Sequence, residues 1–159
     1  MLKNLFPHAY IKNVFCIDYE KLFSFGYKAL IFDIDNTLVH HGDEASNEVK
    51  TLFYTLKTIG FKVIFVSDNS KERLEKFVKD IDCPYICEAG KPDTAPFYEA
   101  LKILDTKDNE TIVIGDQIFK DILGANKSNI PSILVQFIRL KSEKWIGFTR
   151  YIEKIILIL

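Results

Sequence analysis

A chain of 159 residues with 48% apolar and 27% charged content is the size of one ordinary domain, able to bury roughly 70% of its unfolded surface without a second one. Its net charge of −1 lacks the basic excess of a general nucleic-acid binder. No apolar stretch approaches the roughly 20 residues of a membrane span, and an amino terminus broken by Pro7 and His8 carries no signal-peptide core, so a cytoplasmic location is the expectation.

The leader, residues 1–27, reads as a short helix capped by Asp18, carrying Leu22 and Phe23 and stopping at Gly26, packed against the core. An apolar run, Ala29 to Phe32, then ends in Asp33-Ile34-Asp35-Asn36-Thr37-Leu38. Carboxylates two apart on a strand share a face, and two acids at a strand end demand a cation or a proton. A turn in which Asp35 or Asn36 merely caps the next segment is the competing reading of this pair alone. His40 and His41 follow it and are expected in a solvated loop.

Val49, Leu52, Phe53, Leu56 and Ile59 recur at helical spacing and stop at Gly60. A strand-like run, Val63 to Val66, ends in Ser67-Asp68-Asn69, and Ser70 suits the N-cap of a helix carrying Leu74, Phe77, Val78 and Ile81. Tyr85-Ile86-Cys87 leads through a glycine-containing loop to Lys91-Pro92; a helix from near Asp93-Thr94 buries Phe97, Leu101 and Leu104. Thr111 to Ile114 ends in Gly115-Asp116-Gln117, with Asp121 five residues beyond Asp116 in a further helix with Ile122 and Leu123, and Ser132 to Phe137 is the last strand. Strand and helix alternate throughout, which predicts an α/β fold: a three-layer, doubly wound, mostly parallel sheet with right-handed crossovers. One helix and one strand fill each interval between the polar strand ends, leaving no room for a cap domain.

In that order, Asp33-x-Asp35-x-Thr37, Ser67, Lys91 and Gly115-Asp116 with Asp121 resemble the haloacid-dehalogenase-like phosphatases from about residue 28 to residue 137. The finer wording, Asp35-Asn36-Thr37-Leu38 and Gly115-Asp116-Gln117, is similar to the capless YqeG-type subgroup, related to phosphatidylglycerophosphate phosphatases, and the leader is similar too. Two positions depart from the expected pattern: Asp68 where an Asn is usual and Lys120 where a Thr is usual.

The resemblance implies a phosphomonoester hydrolase with Asp33 as nucleophile, forming an aspartyl phosphate, and Asp35 as general acid and base. Ser67 then donates to a phosphoryl oxygen and Lys91 supplies positive charge. Hard oxygen ligands suit Mg²⁺, assigned to the Asp33 carboxylate, the Asp35 carbonyl and Asp116, with Asp121 as an outer-shell acid. Thr37 and Asn69 are expected to set loops rather than react. The implied partner is a phosphorylated substrate, with phosphatidylglycerophosphate the first candidate and a sugar phosphate, nucleotide or phosphoprotein as alternatives. A response-receiver domain orders its lysine last, against Lys91 here; a binding module with idle acids is the remaining rival.

The tail, residues 138–159, is basic: Arg139, Lys141, Lys144, Arg150 and Lys154 face only Glu143 and Glu153. Ile152, Ile155, Ile156 and Leu159 fall on one helical face below Trp145 and Phe148. Such a helix either lies in an anionic membrane surface as a peripheral contact or closes the domain's own core. Cys16, Cys83 and Cys87 show no paired-ligand spacing and are expected to be reduced and mostly buried, with no zinc site.

Overall fold

In a computed structural model that describes residues 2–140, 142–143 and 147–158, the alternating pattern becomes one six-stranded sheet. Its strands are β1 (Ala9–Ile11), β2 (Ala29–Phe32), β3 (Lys62–Val66), β4 (Tyr85–Ile86), β5 (Thr111–Gly115) and β6 (Ser132–Val135). The spatial order is β1-β6-β5-β2-β3-β4, and every pairing is parallel. The winding reverses between β2 and β5, and a doubly wound sheet opens its ligand crevice at the carboxyl ends of two such strands.

Side chains alternate across β2 as the two-residue period requires. Leu30 and Phe32 enter a cluster with Val49, Phe53 and Leu56 of α2 (Asn47–Ile59) and Leu74 and Phe77 of α3 (Lys71–Val78). Ala29 and Ile31 enter the opposite cluster with Phe97, Ala100 and Leu104 of α4 (Ala95–Leu104) and Ala125 of α5 (Leu123–Lys127). Phe32, Phe53, Phe65 and Phe77 pack in sequence, steeply inclined to one another, at 5.3, 4.9 and 5.5 Å between centroids, fixing α2 and α3 to the sheet. Ser46 and Ser70 cap these helices on the N–H groups of Val49 and Arg73, and α2 stops at Gly60, whose φ of +115° few other residues adopt.

The leader differs from the expectation. The helix α1 (Tyr19–Ser24) forms behind its Asp18 cap, but Ala9–Ile11 also adds β1 to the edge of the sheet beside β6. Three residues between Pro7 and Asn13 are too few to display a period. The helix expected around Asp121 begins as a π-helical turn, Ile118–Ile122, before continuing as α5, and the last strand ends at Val135, two residues early. The cysteines are free thiols as expected but not mostly buried: Cys16 is exposed, and Cys83 and Cys87 are half-buried at the periphery of the core.

The terminal helix α6 (Phe148–Ile156) closes the protein's own core with one side: Ile152, Ile156 and Leu157 join Ile118, Ile122 and Leu134. Phe148 and Ile155 face outward, so the single apolar face expected there is split. Trp145 and Leu159 lie outside the described residues. No helix among the described residues is long and apolar enough to cross a membrane.

Candidate active site

Asp33 continues β2 into the crevice, its N–H bonded to the carbonyl of Ile114 on β5 at 3.0 Å. Its Oδ1 meets Lys91 Nζ at 2.7 Å, and the same ammonium reaches Asp121 Oδ1 at 2.6 Å and the Val66 carbonyl at 3.1 Å. The Thr37 hydroxyl lies 2.8 Å from Asp116 Oδ1 and 3.3 Å from Asp33 Oδ2, tying the ends of β2 and β5 together. Asp33, Asp116 and Asp121 each offer an oxygen within 4.8 Å of the others, and all three residues are buried. The π-helical turn swings Asp121 back over Gly115, where a Cβ would lie 2.4 Å from Asp121 Cγ.

Burial pushes the Asp33 carboxyl up to about 8; Lys91 opposes that rise, while Asp121 and Asp116 add to it. Burial likewise raises Asp116 to about 6, against the opposing charge of Arg150. Burial would strip the Lys91 ammonium of its proton, but Asp121 and Asp33 outweigh it and hold the lysine above its ordinary value. The cluster is short of positive charge, and its donors are carboxylate oxygens. That combination fits Mg²⁺, a hard cation whose own charge reverses the pressure on the acids to hold protons.

Asp35 stands apart from this cluster. Asn69 Nδ2 donates to its Oδ2 at 2.5 Å, while Arg73 Nη2 at 2.7 Å and the Gly42 N–H at 3.0 Å share its Oδ1. The chain turns immediately after Asp35, at Asn36 with φ +65°. Ser67 is fully buried, and its Oγ accepts from Asn69 Nδ2 at 2.9 Å. Thr37 and Asn69, read as loop-setting, bond directly to acids of the site. Of the two histidines only His41 is solvated; His40 is largely covered and its Nε2 lies 2.9 Å from Glu143 Oε1.

A haloacid dehalogenase-like hydrolase family model matches residues 39–129. The "probable phosphatase YqeG" of Bacillus subtilis strain 168 is 35% identical over 159 residues, covering 99% of this chain and 92% of that protein. The chain belongs to the haloacid dehalogenase-like hydrolase family. Solved structures carry the same fold: NagD from E. coli K-12 superposes with a TM-score of 0.60 at 11% identity, over 76% of this chain and 94% of that one. The cobalt-bound deoxy-D-mannose-octulosonate 8-phosphate phosphatase YrbI of Haemophilus influenzae gives 0.56 at 16% identity, over 83% and 88%.

Within this hydrolase the two positions that depart from the expected pattern meet. Lys120 Nζ pairs with Asp68 Oδ2 at 2.8 Å, and Asp68 Oδ1 accepts the Lys91 N–H at 2.9 Å. Burial would raise Asp68, but the Lys120 and Lys91 contacts prevail and hold it below the usual carboxylate range. The extra negative charge therefore has its own counter-ion.

Three residues of the hydrolase's site were missed from sequence. Arg73 is the third residue after the Ser70 cap, so the start of α3 carries it to the rim, where it also lies over the Phe77 ring. Its place after the cap was a usable signal. Arg150 Nη2 pairs with Asp116 Oδ2, and Glu153 Oε1 accepts the Ile118 N–H at 2.8 Å. Both come from α6, far from any motif, and in the sequence Arg150 counts only as one of the basic residues of the tail.

Proposed function

We propose that this phosphatase hydrolyses phosphomonoesters through an aspartyl phosphate on Asp33. The observation that carries the reading is Asp33 itself, a buried carboxylate flanked by Lys91, Asp116 and Asp121. Asp33 attacks phosphorus as the bond to the leaving oxygen breaks, and Asp35 delivers the proton that the departing alkoxide takes up. Water then attacks the phosphoenzyme, Asp35 recovers a proton from it, and the Asp33 carboxylate is released with inorganic phosphate. Lys91 balances charge on the nucleophile and the equatorial oxygens; the buried Ser67 hydroxyl is the further donor assigned to phosphate. Asp33, Asp116 and the Asp35 carbonyl would hold Mg²⁺, with Asp121 behind them, and Mg²⁺ when bound supplies charge compensation to the phosphoryl group.

The substrate we assign is a phosphate on a bulky carrier, with phosphatidylglycerophosphate as the leading instance. Two features favour it: the intervals between β2, β3 and β4 contain no lid, and the outward Phe148 and Ile155 of α6 give a peripheral membrane contact an apolar footing. The test has two arms. Asp33→Asn is expected to abolish turnover and leave no acid-stable phosphoenzyme, while Asp35→Asn slows breakdown and lets the adduct accumulate; an active Asp33→Asn ends the nucleophile assignment. A panel of soluble phosphates and lipid phosphates in vesicles, each with Mg²⁺ and with chelator, identifies the substrate. A rate unchanged by chelation removes the metal from the scheme.

A further inference from the structure

Arg150 has a geometry that its role as a tail charge does not explain. It leaves the first turn of α6, its side chain is 14% exposed, and its guanidinium lies 4.8 Å from the Phe137 ring centroid. Nη1 donates to the Asp116 carbonyl at 2.5 Å and to Glu153 Oε2 at 3.1 Å, while Nη2 pairs with Asp116 Oδ2. Gripping both a backbone and a side-chain oxygen of one residue fixes the torsion between them, as a planar fork can and an ammonium cannot. The other carboxylate oxygen, Oδ1, is then the one held on Thr37, the residue that also reaches Asp33.

We propose that Arg150 is the positioning residue for Asp116: it occupies Oδ2, turns Oδ1 toward Asp33, and so makes docking of α6 part of the metal site. The proposal rests on the metal-dependent reading above. Partners behind a ligating carboxylate typically change metal affinity by about 10- to 100-fold when removed. Binding is also reciprocal: if a docked α6 favours metal, metal favours a docked α6. Glu153 completes the attachment from the same helix, accepting from Ile118 and Phe119 at the start of the turn that carries Asp121.

The experiment titrates Mn²⁺ into the full chain without substrate and follows the free ion by electron paramagnetic resonance. Arg150→Met, which keeps an apolar stem over Phe137, is expected to bind Mn²⁺ about 10-fold or more weakly, with Arg150→Lys in between. Ile156→Val, which trims the core contact of α6 but keeps the Arg150 and Glu153 bonds, is expected to stay within about two-fold of the parent, so general loosening is told apart from positioning. Equal or tighter binding by Arg150→Met overturns the proposal, tighter binding meaning that Arg150 competes with the ion. A second measurement needs no variant: Mg²⁺ should slow amide hydrogen exchange across residues 148–156 of the unaltered protein, and faster exchange also overturns it. If the parent takes up no Mn²⁺ and its turnover survives chelation, the metal-dependent reading fails together with this one; if the parent binds and Arg150→Met binds equally well, this one fails alone.

Discussion

Replacing Gly115 by alanine asks whether Asp121 keeps its station because glycine leaves it room. Gly115 closes β5 one residue before Asp116, and an added Cβ would lie 2.4 Å from Asp121 Cγ and 2.5 Å from both its Cβ and Oδ2. Carbon contacts settle near 3.5–4.0 Å, so Asp121 must retreat by roughly 1 Å. Its 2.6 Å pairing with Lys91 then opens past hydrogen-bonding range. Water cannot take its place, because the two side chains are 1% and 3% exposed. Breaking a buried pair costs about 3–5 kcal/mol, and partial relaxation makes about 3 kcal/mol the expected loss. The control is Asp121→Gly, which removes all three clashing atoms. In that background Gly115→Ala should cost less than about 0.5 kcal/mol, or even stabilise, since alanine suits a strand interior better than glycine. Urea unfolding of the four proteins in chelator gives the coupling energy directly, expected near 3 kcal/mol. Equal costs in the two backgrounds would show that the clash is not the cause and that Gly115 is needed for its backbone alone.

Three further outcomes are expected. Without divalent cations the folded protein holds a proton on Asp33, at about 8, that the unfolded chain has released above the ordinary 3.8; stability should therefore fall as pH rises from about 5 toward 8. Urea midpoints should show that decline in the parent, less of it in Asp33→Asn, and less again with Mg²⁺ present. At Asp68, Asn keeps an acceptor for the Lys91 N–H and loses only a half-exposed ion pair, so Asp68→Asn should cost under about 1 kcal/mol, while Asp68→Ala loses the acceptor and should cost about 1 kcal/mol more by thermal melting. A chain ending at Glu143 loses the buried Ile156, the Glu153 bond to the Ile118 N–H and the Arg150 partner of buried Asp116, an expected loss of at least about 3 kcal/mol in urea; unchanged stability would restore the reading of α6 as a tail free of the core.

What could be read in the chain follows from how local its cause is. The strand ends were legible because a buried run such as Ala29–Phe32 stops at the first charge, and the helices because Asp18, Ser70 and Gly60 act on residues three or four positions away. Asp33, Lys91, Asp116 and Asp121 could be gathered because a parallel sheet delivers every strand end to one rim, and Lys91 does join Asp33 to Asp121 there. The pairing of Asp68 with Lys120 was not legible: two departures 52 positions apart look like independent losses until the fold brings them within 2.8 Å. Arg150 is the extreme case. It lies 34 positions from Asp116, and its amphipathic helix is equally compatible with a membrane surface, so no period or spacing distinguishes an inward guanidinium from a solvated one.

The burial of the acidic cluster despite the missing lid has its cause in the chain's last segment. After β6 the backbone does not leave the domain: the Ile138 N–H bonds to the Asn36 carbonyl at 2.8 Å, laying residues 136–140 beside the turn between Asp35 and Thr37. Phe137 there supports the guanidinium of Arg150, which in turn covers Asp116. Two cavities flank this contact, one of about 150 Å³ lined by Asn36, His41, Phe137, Ile138, Arg139 and Arg150 among others, and one of about 340 Å³ lined by Asp116, Ile118, Phe137, Arg150 and Glu153 among others. The larger one passes the roughly 300 Å³ at which pockets begin to enclose a drug-sized molecule, and Arg150 borders both, so the docking of α6 that buries the acidic cluster also builds the walls of the openings beside it.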